Sequence, residues 1–379
     1  MKKILLISTE FPPGPGGIGY HAYSLSKELQ KNIHFELTIL CNADYISHEK
    51  VNNFDDICGL NIFRFKRFGK LTQVIRVFQF LSLILRLKPD TIIFSGLFSL
   101  WLMNLFLSGR NVKIIAIIHG HEPIFGNSFK QGITLTSLKK ADHFVAVSSF
   151  SKLTLENKYQ LTPKQSISII PNGIDPVYLK SWHDSFVLAS KSEPLKQGYP
   201  KLLTIGHTSP RKGQHNVIHA LPAIKRLYPE VIYYVVGRDV NNAGLIEIAK
   251  TLGVSENIQF IPPMLEHFEL LQFYQNADIF MLLSENQPNG DVEGFGIVAL
   301  EANYFGVPVI GSMGCGVEDA VSDGYSGFLV DAHNGDEISD SVNNIIQKYN
   351  QFSLNAKEFA NQHKWNNIVK RFESIICAE

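Results

Sequence analysis

Cysteine is scarce in this chain: four residues in 379, Cys41, Cys58, Cys315 and Cys377, with no Cys-x-x-Cys pair among them. That scatter argues against a zinc site and against a disulfide framework, and reduced thiols in a cytoplasmic protein are the simplest account. An excess of either charge is lacking too. Lys plus Arg and Asp plus Glu both number 35, so the overall balance offers nothing to a nucleic acid, and a charged partner must be met by local groups. No short-period repeat and no low-complexity tract occurs. No Gly-Lys-Ser/Thr follows a glycine loop, which excludes a P-loop. The apolar run at the N-terminus, Ile4 to Ile7, is too short for a signal peptide and reads as a buried strand. Residues 91–109 carry no charge and approach the length of a membrane span, but Ser95 and Gly96 divide them into a strand, Thr91–Phe94, and a buried helix, Leu97 to Leu107.

With 45% hydrophobic residues and a length beyond what one core serves, two domains are expected. Short apolar runs alternate with helical patterns: Ile4–Ile7, Phe35–Leu40, Thr91–Phe94, Lys113–Ile118, His143–Val147 and Ser168–Ile170, then Lys201–Ile205, Val231–Val236, Ile258–Ile261, Ile279–Leu283 and Val307–Ile310. Such alternation predicts an α/β fold of two doubly wound parallel sheets, with ligands at the carboxyl ends of the strands in a cleft between them. Ser181 to Pro200 loses periodicity and gathers Ser, Lys, Gly and Pro, so it is the expected linker. The predicted domains are residues 1–185 and 196–359, with a C-terminal helix over 360–379 that packs back onto the first.

Several loops carry candidate chemistry. Glu293 and Glu301 stand eight residues apart around a helix start, Glu293-Gly294-Phe295-Gly296-Ile297. Glycines at a helix mouth leave its first N–H groups bare for a phosphate or a hydroxyl, and each flanking carboxylate can accept from a polyol. A lone pair of glutamates at this spacing would read as a solvated helix face, and only its company elsewhere changes that. Arg211-Lys212 sits in a strand-to-helix loop, Gly206 to Gly213, suited to a diphosphate or merely to solvent. Gly14-x-Gly16-x-x-Gly19 formally matches a dinucleotide fingerprint. Its Pro12-Pro13 spacer makes the loop too long, and strand two ends in Cys41-Asn42 instead of an acid, which favours another phosphate or a sugar over NAD. His119-Gly120-His121 closes a strand, where a hydrogen bond to substrate is preferred over metal binding. Asp291-Val292-Glu293 resembles a cation-binding acidic pair, with the metal role again the weaker reading. Residues 64–88 hold seven cations, no acid and interleaved aromatics, which suits either an anionic membrane surface or a core helix with a basic edge.

Taken together these residues resemble glycosyltransferase family 4, the retaining, nucleotide-sugar-dependent enzymes of GT-B fold. The likeness runs through the Gly16-Gly17 loop, His119-Gly120, Val147 to Lys152, Pro171 to Asp175, Arg211-Lys212-Gly213, Glu293 to Ala302 and Gly306-Val307-Pro308-Val309. The resemblance implies a hexose moved from a nucleoside-diphosphate sugar, a substrate and not a cofactor, to a hydroxyl of a glycan or lipid-linked glycan, without a metal. It implies Glu301 at the ribose, Glu293 at a sugar hydroxyl and the amides of Phe295, Gly296 and Ile297 at the helix mouth. It implies Arg211 and Lys212 on the diphosphate, Gly16 and Gly17 lining it, and His119 near the reacting carbon. Localisation would be cytoplasmic, peripheral on the inner face of a membrane. Many members have Gly-Arg at the place of Gly206-His207, so a phosphate-binding cation is missing or replaced by an imidazole. Many also have Gly-Gly in place of Cys315-Gly316. An NAD-dependent dehydrogenase and a non-catalytic partner subunit of the same fold are the alternatives.

Overall fold

The protein is described by a computed structural model covering residues 1–14, 16–43, 47–65, 69–106, 111–176, 179, 196–261 and 270–378. It divides into two compact units, Met1–Gly173 with Trp365–Glu379, and Ile174–Lys364. Most of the expected linker, residues 181–195, lies outside the described residues.

In the first unit seven strands are described: β1 (Lys2–Ser8), β2 (Phe35–Cys41), β3 (Ile62–Arg64), β4 (Thr91–Ser95), β5 (Lys113–Ile118), β6 (His143–Ala146) and β7 (Ser166–Ile169). All pair in parallel, in the order β3-β2-β1-β4-β5-β6-β7. The central strands are uninterrupted apolar runs because helices cover both faces, and Leu5 to Ile7, Ile92 to Phe94 and Ile114 to Ile118 are fully buried. Strand order reverses between β1 and β4, so the loops after these two strands flank the crevice where α/β sheets bind ligands. The helix Trp365–Cys377 belongs to this unit and buries Trp365, Ile368, Phe372 and Ile376, one stripe at helical spacing. Its last carbonyls are capped by lysines: Lys2 Nζ donates to Ile376 O at 2.7 Å and Lys113 Nζ to Ile375 O at 2.7 Å.

The second unit holds six described strands, β8 (Lys201–Ile205), β9 (Ile232–Val236), β10 (Ile258–Ile261), β11 (Ile279–Leu282), β12 (Val309–Ser312) and β13 (Gly327–Val330). They are parallel in the order β10-β9-β8-β11-β12-β13, and the switch falls between β8 and β11. Buried polar groups stitch that centre: the Tyr233 hydroxyl donates to Thr204 Oγ1 at 2.8 Å, and Thr204 donates to Met281 O at 2.6 Å. Gly213 is what lets the loop after β8 lie against β11. Its φ of 67° is left-handed, and a Cβ there would collide with the Leu283 carbonyl. The loops carrying Arg211 and Glu293 are thereby brought together. Among the described residues, no helix is long and apolar enough to cross a membrane.

Candidate active site

Pro210–Lys212 forms a single 3₁₀ turn after β8, and the Glu285 N–H donates to the Arg211 carbonyl at 2.9 Å, tying the turn to the chain leaving β11. On this frame the cations and acids converge. Arg211 pairs with Glu293 and, through Nε at 2.9 Å, with Asp291; Lys212 Nζ lies 2.8 Å from the same Glu293 oxygen. Glu293 is 9% exposed. Burial pushes its carboxyl upward, but Lys212 and Arg211 together outweigh burial and hold it below its ordinary value. It is therefore an ionised carboxylate that neutralises two cations suited to a phosphate.

Gly296 (φ 89°) precedes the helix Ile297–Tyr304, and the first amides of that helix lack intrahelical acceptors. The Cys315-Gly316 loop is fixed beside it, for the Gly316 N–H donates to the Glu293 carbonyl at 2.8 Å. Glu301 occupies the helix interior, where the Tyr274 hydroxyl donates to its Oε2 at 2.8 Å. Burial raises the Glu301 carboxyl, and the opposing pull of Tyr274 and Lys212 does not cancel that rise. The two glutamates thus differ in kind: Glu293 is cation-paired and charged, while Glu301 is pushed toward its neutral form. His207 is exposed and lowered, first by partial burial and then by Arg238, Lys212 and Arg211. It supplies no cation at neutral pH. Arg238, directly after β9, is a neighbouring charge that reading the sequence overlooked; its carbonyl accepts from the Thr208 N–H at 3.2 Å, and its place after an apolar strand was the available signal.

In the first unit, Gly16 caps the helix Gly17–Leu29 with φ 134°, and a Cβ there would run into the Glu10 carboxylate. Glu10, which the sequence did not single out, is raised by burial, against the Gly19 N–H and His121 and with the help of Glu122. His119 Nε2 lies 2.9 Å from Ser95 Oγ, and its ring meets that of His21 edge-on, with centroids 5.2 Å apart. Burial lowers both imidazoles to about 3, so both are neutral. Fully buried Glu122 accepts from the His119 and Gly120 N–H groups at 3.0 Å, fixing the loop. Among the described residues no group of three or more His, Cys, Asp or Glu is arranged to hold a metal ion.

The basic surface expected over residues 64–88 takes a different form. Arg64 binds Asp55 (Nη2–Oδ1 2.6 Å) and the Pro12 carbonyl, and Arg76, 4% exposed, lies over the rings of Phe65 and Phe98. An acid from outside the window, one interleaved ring (Phe65) and one from beyond it (Phe98) draw these two cations inward. Lys66, Arg67 and the side chain of Lys70 lie outside the described residues. Beside exposed Gln73, Ser82 and Arg86, the helix Thr72–Leu87 and the turn before it expose an apolar series, Leu71, Val74, Phe78, Leu81 and Leu85, at alternating spacings of three and four.

Comparison with known proteins accords with this architecture. The family described as Glycosyl transferases group 1 matches residues 187–363, and that described as Glycosyltransferase Family 4 matches residues 15–178. A GDP-mannose-dependent alpha-(1-6)-phosphatidylinositol monomannoside mannosyltransferase of Mycolicibacterium smegmatis is 27% identical over 90% of this chain and 89% of its own. A monoacylated-substrate counterpart from Corynebacterium glutamicum is 26% identical over 91% and 89%. Among solved structures, Anabaena HepE in complex with UDP and glucose superposes with a TM-score of 0.74 at 19% identity over 99% of both chains. Sucrose-phosphate synthase of Thermosynechococcus elongatus gives 0.75 at 18%, over 99% and 98%. The fold is GT-B, and the chain belongs to glycosyltransferase family 4.

Proposed function

We propose that the protein transfers a hexose from a nucleoside-diphosphate sugar to a hydroxyl of a lipid-linked glycan, with retention at the anomeric carbon, in the assembly of cell-surface glycoconjugates. The observation that carries this reading is the convergence of Arg211 and Lys212 on Glu293 at the switch point of the second unit. In glycosyl transfer, negative charge accumulates on the departing diphosphate, so fixed cations and bare helix amides aimed at it lower the barrier most. The arriving diphosphate takes over Arg211 and Lys212, which frees the Glu293 carboxylate to accept from a sugar hydroxyl. Phe295, Gly296 and Ile297 supply amides, and Glu301 takes the ribose. The counter-charge is assigned to side chains, and chelators are expected to leave turnover unchanged. Gly16, Gly17 and neutral His119 suit approach by hydroxyls or a phosphate that need hydrogen bonds without a charge.

Relatives named for GDP-mannose make it the first donor to test. A ligand that binds only the folded state raises the melting temperature, so GDP-mannose is expected to stabilise the protein, with UDP- and ADP-sugars as comparisons. Absence of any shift with all three classes would contradict the reading. The same relatives are named for phosphatidylinositol-based acceptors, and the apolar stripe from Leu71 to Leu85, with exposed Arg86 and Lys88 at its end, fits contact with an anionic lipid surface. Phe78→Ser with Leu85→Ser is expected to abolish sedimentation with anionic vesicles while donor binding is retained.

A further inference from the structure

Beside the cluster just described, and sharing none of its side chains, lies an open hollow of about 480 Å³ at the carboxyl ends of β11, β12 and β13. Ser284, Glu285, Asn286, Met313, Asp331 and His333 line it. Its rims are well fixed. Asn286 Nδ2 donates to the Gly314 carbonyl at 2.7 Å, and the Ser312 hydroxyl donates to the Ser284 carbonyl at 2.8 Å. Glu285 Oε1 accepts from Asn216 at 2.9 Å and lies 3.2 Å from His215 Nε2 and 3.5 Å from His333 Nε2. Two backbone bonds join this hollow to the neighbouring cluster, Glu285 N–H to Arg211 O at 2.9 Å on one side and Gly316 N–H to Glu293 O at 2.8 Å on the other.

One lining group has no explanation within the fold. Ser284 is 3% exposed, and its Oγ has no hydrogen-bond partner among the described residues. A buried hydroxyl without a partner is costly, and native proteins leave few of them. Its surroundings narrow the class of molecule that would satisfy it. Glu285 and Asp331 repel phosphates and carboxylates, and Asn286, His333 and Ser284 offer both donors and acceptors. Met313, half exposed, adds an apolar surface. Carboxylate and amide groups beside an apolar side chain match a pyranose, which has a rim of hydroxyls and a face of C–H groups. The volume admits one or two such rings.

We propose that this hollow holds a pyranose ring of the acceptor glycan, distinct from the ring being transferred. The inference rests on the glycosyltransferase reading only for the word acceptor; the carbohydrate site stands on the hollow and Ser284 alone. The test is ligand-observed NMR titration of the full chain with methyl α-D-mannopyranoside and with the corresponding (1→6)-linked dimannoside, with and without saturating GDP, on the parent and on Ser284→Ala. Removing an unpartnered hydroxyl leaves the melting temperature unchanged or slightly raised, so the variant folds. The expected result is saturable binding of a glycoside by the parent, about three- to tenfold weaker in Ser284→Ala, the size of one neutral hydrogen bond, with GDP affinity unchanged. Asn286→Ala is expected to weaken glycoside binding in parallel. Equal glycoside binding by the parent and Ser284→Ala, or no binding, would overturn the proposal. So would a loss in Ser284→Ala confined to GDP-mannose, titrated in parallel with GDP, since the site would then belong to the transferred sugar. Glycoside binding without any nucleotide binding would leave this site intact and refute the donor reading instead.

Discussion

The two units are built on the same parallel-sheet plan, yet they treat charge in opposite ways at their switch points. In the second unit, Arg211, Lys212 and Glu293 meet as ions within one cluster. In the first, burial holds His21 and His119 neutral and raises the Glu10 carboxyl. The difference teaches a division of labour that topology alone does not dictate. Charge developing on a leaving group calls for ions that are already in place. A hydroxyl or a sugar face calls for hydrogen-bonding groups that remain uncharged, since an unpaired ion in a buried loop would cost far more than a neutral donor. Glu293 compensates two half-buried cations, and removing it would leave them with only Asp291 beside Arg211.

The largest effect that could break this comparison is on turnover. Lys212→Ala and Arg211→Ala are each expected to slow donor consumption by roughly 10²–10³, whereas His119→Ala, which removes no charge, is expected to slow it less. Equal losses at all three positions, measured as nucleoside-diphosphate release, would erase the distinction between the units.

A second test addresses the neutral side. Both imidazoles fall from an ordinary value near 6.5 to about 3, so the folded state binds fewer protons than the unfolded one between those values. Their contribution is complete above pH 6.5 and is lost as the pH falls toward 3. At pH 5 this amounts to about 2 kcal/mol per histidine. Neither ring nitrogen of His21 has a hydrogen-bond partner among the described residues, and the ring packs against Trp365 and Phe372. His21→Phe should therefore lose less melting temperature between pH 7 and pH 5 than the parent does, and identical acid limbs would contradict the assignment. Glu293 acts in a lower window. Its depressed carboxyl contributes above its ordinary value of about 4.5, and that contribution is lost as the pH falls through the folded value.

Smaller effects sharpen the charged side. Glu293→Gln removes the internal competitor for Arg211 and Lys212, so nucleoside-diphosphate affinity by calorimetry should rise, by up to about tenfold, the scale of one charged hydrogen bond. Weaker binding would mean that Glu293 holds the ligand itself. Tyr274→Phe strips Glu301 of its buried donor and should cost about 1–3 kcal/mol in urea unfolding. No change would show that the bond contributes nothing net.

Much of this architecture was legible beforehand, for physical reasons that differ from element to element. Central strands such as Ile4–Ile7 and Lys113–Ile118 are buried on both faces, so they appear in the sequence as plain apolar runs. β3 and β13 escaped notice: β3 spans only Ile62–Arg64, and β13 opens on Gly327, whose Cβ position is taken up by the Val309 backbone. Arg211, Lys212 and Glu293 were read individually, but their mutual pairing was not, since 81 residues separate Lys212 from Glu293 and only the β8–β11 adjacency joins them. Glu10, Glu122 and Arg238 carry no motif that marks them; their roles arise from what folding sets beside them. The run from Arg64 to Lys88 could not be divided into inward and outward cations from the sequence. Counting cations along a window cannot show that Asp55 and two phenylalanine rings take Arg64 and Arg76 inside.

The central claim is that the Arg211–Lys212 pair of the second unit binds a diphosphate. Calorimetric titration of GDP against GMP, and of UDP against UDP's monophosphate, measures it directly in the parent and in Lys212→Ala. The account predicts that the parent prefers one diphosphate over its monophosphate by at least about tenfold, the worth of one charged hydrogen bond, and that this preference collapses in the variant. A preference that survives Lys212→Ala and Arg211→Ala unchanged would contradict it.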